Sequence, residues 1–281
     1  EDVIETADLE VRVSTLPGPN GENIVLRILN PKSIQVEFEE LGMQPWITKF
    51  MAKELERPNG MILNTGPTGS GKTTTLYTFL RKIHTPEIKI VTLEDPIEYH
   101  LTGIEQTQVD KEKGYDFADG LRAIVRQDPH VILVGEIRDT ATAETAMNAA
   151  QTGHLVFSTL HTNNAAGAIP RLIALGVRLD SIAAALKVIM AQRLVRKLCI
   201  NCRVACPLTP ELIEKITKEL AAFPSGIPIP SQDTWTVFTV SPNGCPICNN
   251  MKYKERVAVY EIILNNEEIQ TLILRGGATE F

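Results

Sequence analysis

The sequence predicts an α/β fold, a mostly parallel sheet covered by helices, with a small cysteine-bearing module appended. Three observations carry this. Apolar runs at Ile88 to Leu93, Val131 to Val134 and Leu155 to Thr159 are separated by stretches of helical periodicity, the alternation that builds parallel sheets. A glycine-rich segment, Gly66 to Thr73, lies between an apolar run and a helix-like stretch. Beyond Cys199 the texture changes to prolines, short strands and paired cysteines, with a helix-like run from Pro210 to about Phe223.

With 281 residues, 43% of them hydrophobic, the chain can bury a sizeable core. Lys and Arg total 28 against 34 Asp and Glu, a net charge of -6, so there is no overall electrostatic footprint for nucleic acid or an anionic membrane. No apolar run reaches membrane-spanning length, and the start at Glu1-Asp2 lacks the pattern of a signal peptide. A soluble, cytoplasmic protein is expected, touching a membrane only through partners. Four of the five cysteines form two Cys-x-x-Cys pairs, which fits a reduced compartment with a metal site better than a disulfide framework.

Near the N-terminus, Leu9, Val11 and Val13 alternate with Glu10, Arg12 and Ser14, the period of a strand. The stretch Pro17-Gly18-Pro19-Asn20-Gly21 implies a hairpin turn into a second strand over Ile24 to Leu29. Two strands alone are not a stable unit, so the hairpin is expected to be the tail of a domain whose earlier part is missing. Arg275 to Phe281, with Gly276-Gly277 and no closing element, suggests truncation at the other end. After Pro45, Ile47, Phe50, Met51 and Leu55 recur at helical spacing, Pro58-Asn59-Gly60 stops that helix, and a buried strand follows at Met61 to Leu63.

Gly66-Pro67-Thr68-Gly69-Ser70-Gly71-Lys72-Thr73 fits G-x-x-x-x-G-K-[ST] with a strand before it and a helix after. Glycines let backbone N–H groups curve around phosphates, the helix N-terminus adds a favourable dipole, and Lys72 reaches the outer phosphates. Thr73 supplies a hydroxyl for Mg2+. The run Ile88 to Leu93 ends in Glu94-Asp95-Pro96-Ile97-Glu98, which places carboxylates where ligands of parallel sheets bind and where hydrolysis needs one for the attacking water. A second acidic segment, Gly135-Glu136-Ile137-Arg138-Asp139, follows Val134. Glycine stands there in place of the usual Walker B aspartate, leaving Glu136 to serve the metal or its waters. His154 and His161 flank the run Leu155 to Thr159. His161, at the ligand edge, is the candidate for a terminal-phosphate contact, and His154 is read as a satisfied polar residue near the core.

These segments, in this order, closely resemble the secretion and pilus-assembly ATPase superfamily, that is, the motors of type II secretion and type IV pilus assembly. The resemblance rests on the phosphate loop, the box Thr92 to Glu98, the run Leu121 to Asp139 and the histidine segment ending at His161. It implies a RecA-like P-loop NTPase domain with a remnant of an N-terminal α+β (PAS-like) domain and a small zinc-binding module. The corresponding boundaries are 1–40, 41–198, 199–250 and 251–281. It also implies a hexamer that hydrolyses ATP, Mg2+-dependent, to drive pilin or pseudopilin assembly through an inner-membrane platform protein and a cytoplasmic adaptor.

Carried over by residue, Gly66 to Thr73 together with Thr74 bind the nucleotide, while Glu94 and Glu136 govern water and metal. His161 contacts the γ-phosphate, and Arg12 and Arg27 resemble the arginines that complete the site from the N-terminal domain. Arg138 and Arg193 are further cations that the sequence does not rank.

Cys199-Ile200-Asn201-Cys202 and Cys245-Pro246-Ile247-Cys248 are two knuckles of the kind that hold a tetrahedral Zn2+, more widely separated than in common zinc ribbons. Cys206 is the spare. The module resembles that of the assembly-type motors, which the retraction motors typically lack. In the stretch after the second knuckle, Glu255 and Ala258 replace the family's usual glycines. Two other classes compete: a nucleic-acid motor, disfavoured by the acidic balance and 5% aromatic content, and a nucleotide-binding clamp that does not hydrolyse.

Overall fold

A computed structural model describes residues 10–29, 36–221, 223 and 229–276. The expectation of truncated ends concerns chiefly residues 1–9 and 277–281, which lie outside the described residues, as does the linker segment 30–35. The chain divides into two compact units, Glu1–Leu194 with Ala258–Phe281, and Val195–Val257.

The first unit opens with the expected hairpin. β1 (Glu10–Gly18) and β2 (Gly21–Leu29) pair antiparallel around a two-residue loop. Arg12 stands opposite Arg27 in the register, so both side chains leave the same face. α1 (Pro45–Leu55) begins on a proline, whose missing N–H is an orphan at that position anyway, and buries Ile47, Met51 and Leu55 along one stripe.

Strands and helices then alternate: β3 (Gly60–Thr65), α2 (Lys72–Ile83), β4 (Ile90–Glu94), β5 (Glu105–Gln108), α3 (Phe117–Val125), β6 (Val131–Val134), α4 (Thr140–Gln151), β7 (Leu155–Leu160), α5 (Ala168–Ala174) and α6 (Leu179–Ala185). β8 (Leu186–Leu198) follows directly. β9 (Val204–Cys206), α7 (Pro210–Ala221), β10 (Val237–Thr239), β11 (Tyr253–Leu264) and α8 (Glu267–Leu274) complete the order. The main sheet has seven strands in the order β11-β8-β3-β7-β6-β4-β5, and the neighbours from β8 to β5 are parallel. β3, β4, β6 and β7 are buried on both faces, as parallel strands under helices must be, while β5 at the edge is partly exposed. Successive residues feed two separate cores: Leu63, Leu93 and Ile132 join one with Leu121 and Met147, while Ile62 and Leu133 join the other with Phe79 and Phe157.

In the second unit β9 pairs antiparallel with β10, and α7 buries none of its side chains. After the second cysteine pair the backbone enters the left-handed region four times, at Asn249, Asn250, Lys252 and Glu255, the last with φ of 66°. Asparagine tolerates this conformation; a glutamate does so at a cost of about 1 kcal/mol. Glu255, where the resemblance led to an expected glycine, therefore sits at a backbone conformation that favours glycine, whereas Ala258 does not adopt a positive φ. The ion pair of Glu255 with Lys197, at 3.7 Å between exposed groups, contributes little. Glu255→Gly is expected to raise the melting temperature by a few degrees, measured by circular dichroism; an unchanged or lowered value would contradict this strain.

Candidate functional site

The parallel sheet brings the ends of β3, β4, β6 and β7 to one edge, and each carries a segment singled out from the sequence. At the end of β3, Gly66 and Gly71 adopt φ of 147° and 90°, and both press against β8. A Cβ on Gly66 would lie 2.5 Å from the Gln192 carbonyl oxygen, and one on Gly71 would lie 2.8 Å from the Gln192 side-chain amide. Gln192 is held in turn by a 2.9 Å hydrogen bond from Asn64. Gly71 is the N-cap of α2 and offers no side chain to the first helical N–H groups, which have no partners within the helix. The Ser70 hydroxyl is buried without a hydrogen-bond partner among the described residues. An uncapped helix start, a glycine cradle and an orphaned hydroxyl fit a phosphate chain.

Lys72 donates to the carbonyl oxygens of Gly66, at 2.7 Å, and Pro67, at 3.1 Å. Burial lowers its pKa, and the charges of Glu136 and Glu98 oppose that shift. Glu136 is 9% exposed, ion-pairs with Arg138, and lies 3.6 Å from His161 Nε2.

The neighbouring threonines and serines lock the strand ends. The Thr159 hydroxyl donates to the Gly135 carbonyl at 2.7 Å, and the Ser158 hydroxyl to the Val134 carbonyl at 2.8 Å. Thr65 and Thr162 share a 2.7 Å hydroxyl contact just past His161. Gly135 stands where an aspartate was expected because the backbone runs close: a Cβ there would lie 3.2 Å from the Leu93 oxygen and 3.4 Å from the Glu94 Cα. Asp139, last of that segment, caps α4 through the Thr142 N–H.

Glu94, expected to handle water, lies at the end of β4. It is 5% exposed, and its carboxylate receives hydrogen bonds from the Tyr77 hydroxyl, from Thr92 Oγ1 at 2.6 Å and from Gln106 Nε2 at 3.2 Å. Burial raises its pKa against the opposing effect of those three donors. Glu98, in the same acidic box, acts by its charge on Lys72, as Glu136 does, and sequence reasoning did not single it out. His154 bonds to the Ala149 carbonyl at 3.0 Å, at the opposite end of β7 from His161. Arg12 donates to the Ile97 carbonyl at 2.8 Å, meeting the acidic box itself rather than the phosphate loop. Arg193 donates to the Asn163 carbonyl at 3.0 Å.

In the second unit the sulfurs of Cys199, Cys202, Cys245 and Cys248 lie within 4.8 Å of one another. The Cys199–Cys245, Cys202–Cys248 and Cys245–Cys248 pairs measure 3.8, 3.9 and 3.7 Å. A tetrahedron with Zn–S bonds of about 2.3 Å has edges of about 3.8 Å, so the four sulfurs fit that ion. Burial opposes ionisation of Cys248, but the backbone N–H groups of Cys245 and Lys252 draw its pKa down to about 6. Cys206 instead faces the Pro207 carbonyl.

A parallel sheet with this glycine cradle, Lys72 and a pair of nearby carboxylates defines a P-loop nucleotide-binding fold. The chain belongs to the type II/IV secretion system protein family, which matches residues 2–280. It is 44% identical to the type II secretion system protein E of Aeromonas hydrophila over 94% of this chain and 50% of that protein. It is also 44% identical to the type IV pilus assembly ATPase PilB of Pseudomonas aeruginosa, over 98% of this chain and 46% of that one. The chain thus spans about half the length of the curated relatives it matches. Among solved structures it resembles the pilus retraction motor PilT with bound ADP, at a TM-score of 0.65 and 29% identity, covering 96% of this chain and 64% of that one. The fold is shared with the ATPase DotB of Yersinia pseudotuberculosis, at a TM-score of 0.63 and 24% identity over 96% of this chain and 60% of that one.

The cysteine geometry generates a direct expectation. Purified chain should carry about one zinc per molecule by atomic emission, lost in Cys248→Ser together with order in Val195–Val257. Zinc-free wild-type protein with that unit still resistant to proteolysis would contradict it.

Proposed function

We propose that this chain is the ATP-hydrolysing core of a motor that drives pilin or pseudopilin assembly, in type IV pilus biogenesis or type II secretion. The observation that carries this reading is the delivery of the phosphate loop, the acidic box, Glu136 and His161 to one edge of the parallel sheet, beside the uncapped start of α2. Gly66 to Thr74 would cradle the phosphates, with Lys72 against the outer ones and the Thr73 hydroxyl as ligand to Mg2+. When bound, that ion offsets charge on the phosphate oxygens. Glu136 and Glu98 are the carboxylates suited to orient or deprotonate the attacking water, and His161, beside Glu136, is the candidate contact to the terminal phosphate. Arg12 and Arg27, on one face of the hairpin, are the cations that a closing N-terminal domain would bring to the nucleotide.

The finer parts of the reading are a hexameric ring, contacts with an inner-membrane platform protein and a cytoplasmic adaptor, and a cytoplasmic place beside the bacterial inner membrane. They rest on the resemblance, and the relatives at 42–45% identity are named as type II secretion system proteins and a type IV pilus assembly ATPase; no described helix is long and apolar enough to cross a membrane. The β1–β2 hairpin is read as the remnant of a PAS-like domain, and the four cysteines as a zinc site. Assembly is favoured over retraction by that cysteine module.

The test is ATP hydrolysis by the chain and by Glu136→Gln, with mass measured with and without a non-hydrolysable nucleotide. The expected outcome is a loss of about a hundredfold or more in the variant, and hexamers promoted by nucleotide. Hydrolysis that requires DNA, or none in any assembled state, would overturn the reading.

A further inference from the structure

Glu94 and Glu98 stand four residues apart in one acidic box, yet the fold gives them opposite surroundings. Glu94 gathers donors from three elements: Tyr77 on α2, Thr92 on its own strand and Gln106 on β5. A carboxylate can do this because both oxygens only accept. Two of those donors also hold the loop that follows. The backbone N–H of Glu98 lies near enough to the Tyr77 oxygen to oppose the rise in its pKa. Gln106 accepts from the Leu101 N–H at 2.7 Å and donates to the Tyr99 carbonyl at 3.0 Å.

The same loop is gripped from two further sides. Gln108 accepts from the Ile97 N–H at 3.1 Å, and Arg12 donates to the Ile97 carbonyl at 2.8 Å. Residues 97, 98, 99 and 101 are thus each tied by the main chain to a side chain outside the loop or to the hub that Glu94 organises. Within this loop Glu98 is the residue whose charge acts on Lys72.

We propose that Glu94 is a positioning residue: through Tyr77 and Gln106 it fixes the backbone of residues 97–101 so that Glu98 is presented to the phosphate loop. Tyr77, a fully buried side chain of α2, is the joint between the two carboxylates. The helix that starts at the phosphate loop thereby sets the place of Glu98 as well as that of Lys72. The proposal rests on the reading of Glu98 as a carboxylate that acts on the water.

The experiment is a double-mutant cycle on the full chain with Tyr77→Phe and Glu98→Gln, following single-turnover ATP hydrolysis, affinity for a fluorescent ATP analogue and thermal melting. Tyr77→Phe keeps the ring in the core and removes only the hydroxyl. It is expected to slow hydrolysis by about ten- to a hundredfold with nucleotide affinity retained. In the Glu98→Gln background the same change should cost nothing more, because both act through one group.

Full activity in Tyr77→Phe, an equal loss in both backgrounds, or a parallel loss of nucleotide affinity would each overturn the proposal. A fully active Glu98→Gln removes the underlying reading and the proposal with it. An inactive Glu98→Gln beside a fully active Tyr77→Phe removes the proposal alone. If Tyr77→Phe melts below the assay temperature, Gln106→Met, on a partly exposed strand, is judged by the same criteria.

Discussion

Parallel hydrogen bonding between β3, β7, β6 and β4 is the constraint on which the rest depends. Strands that run the same way must finish at the same edge, so whatever follows each strand is delivered to one place. Here the deliveries are the phosphate loop after Thr65, the acidic box at Glu94, Gly135-Glu136 after Val134 and His161 after Leu160. Residues separated by up to 89 positions in the chain, from Lys72 to His161, meet without any connection between their loops. Burial on both faces keeps the strands in register, and the hydroxyls of Thr65, Ser158 and Thr159 fasten their ends across the sheet.

Close packing at that edge explains which small residues stand there. Gly66 and Gly71 let the phosphate loop lie against Gln192, and Gly135 lets the β6 end pass over the Glu94 backbone. The departure from the usual Walker B aspartate is therefore a packing feature, and under the proposed function the acidic role falls to Glu136, one residue further along. The charges of Glu136 and Glu98 act on Lys72, while Glu94 is buried among Tyr77, Thr92 and Gln106, where the proposal gives it the anchoring of the loop that bears Glu98.

Much of this was legible from the sequence. The apolar runs at 88–93, 131–134 and 155–159 became β4, β6 and β7 with small shifts at their ends, the glycine-rich motif lies on the expected strand-loop-helix, and the four cysteines converge. What was not legible lacks a local signal. β5 reads Glu105-Gln106-Thr107-Gln108, with no apolar residue to reveal a strand. β8 follows α6 inside one continuous apolar stretch, where periodicity cannot mark the change from helix to strand. Glu94 and Glu98 look alike in the sequence, and their roles are separated only by Tyr77 and Gln106, which reach the box from α2 and β5. Arg12 was identifiable as a candidate cation, but its meeting with the Ile97 carbonyl depends on how the hairpin sits on its unit.

A crystal structure of the chain with Mg2+ and a non-hydrolysable ATP analogue tests the central claim most directly, because it shows which carboxylates face the terminal phosphate. The account expects Lys72 and the Thr73 hydroxyl at the phosphates and metal, Glu98 and Glu136 facing the γ-phosphate, and Glu94 still hydrogen-bonded to Tyr77. Glu94 released from Tyr77 and turned to the γ-phosphate, with Glu98 pointing away, would contradict it.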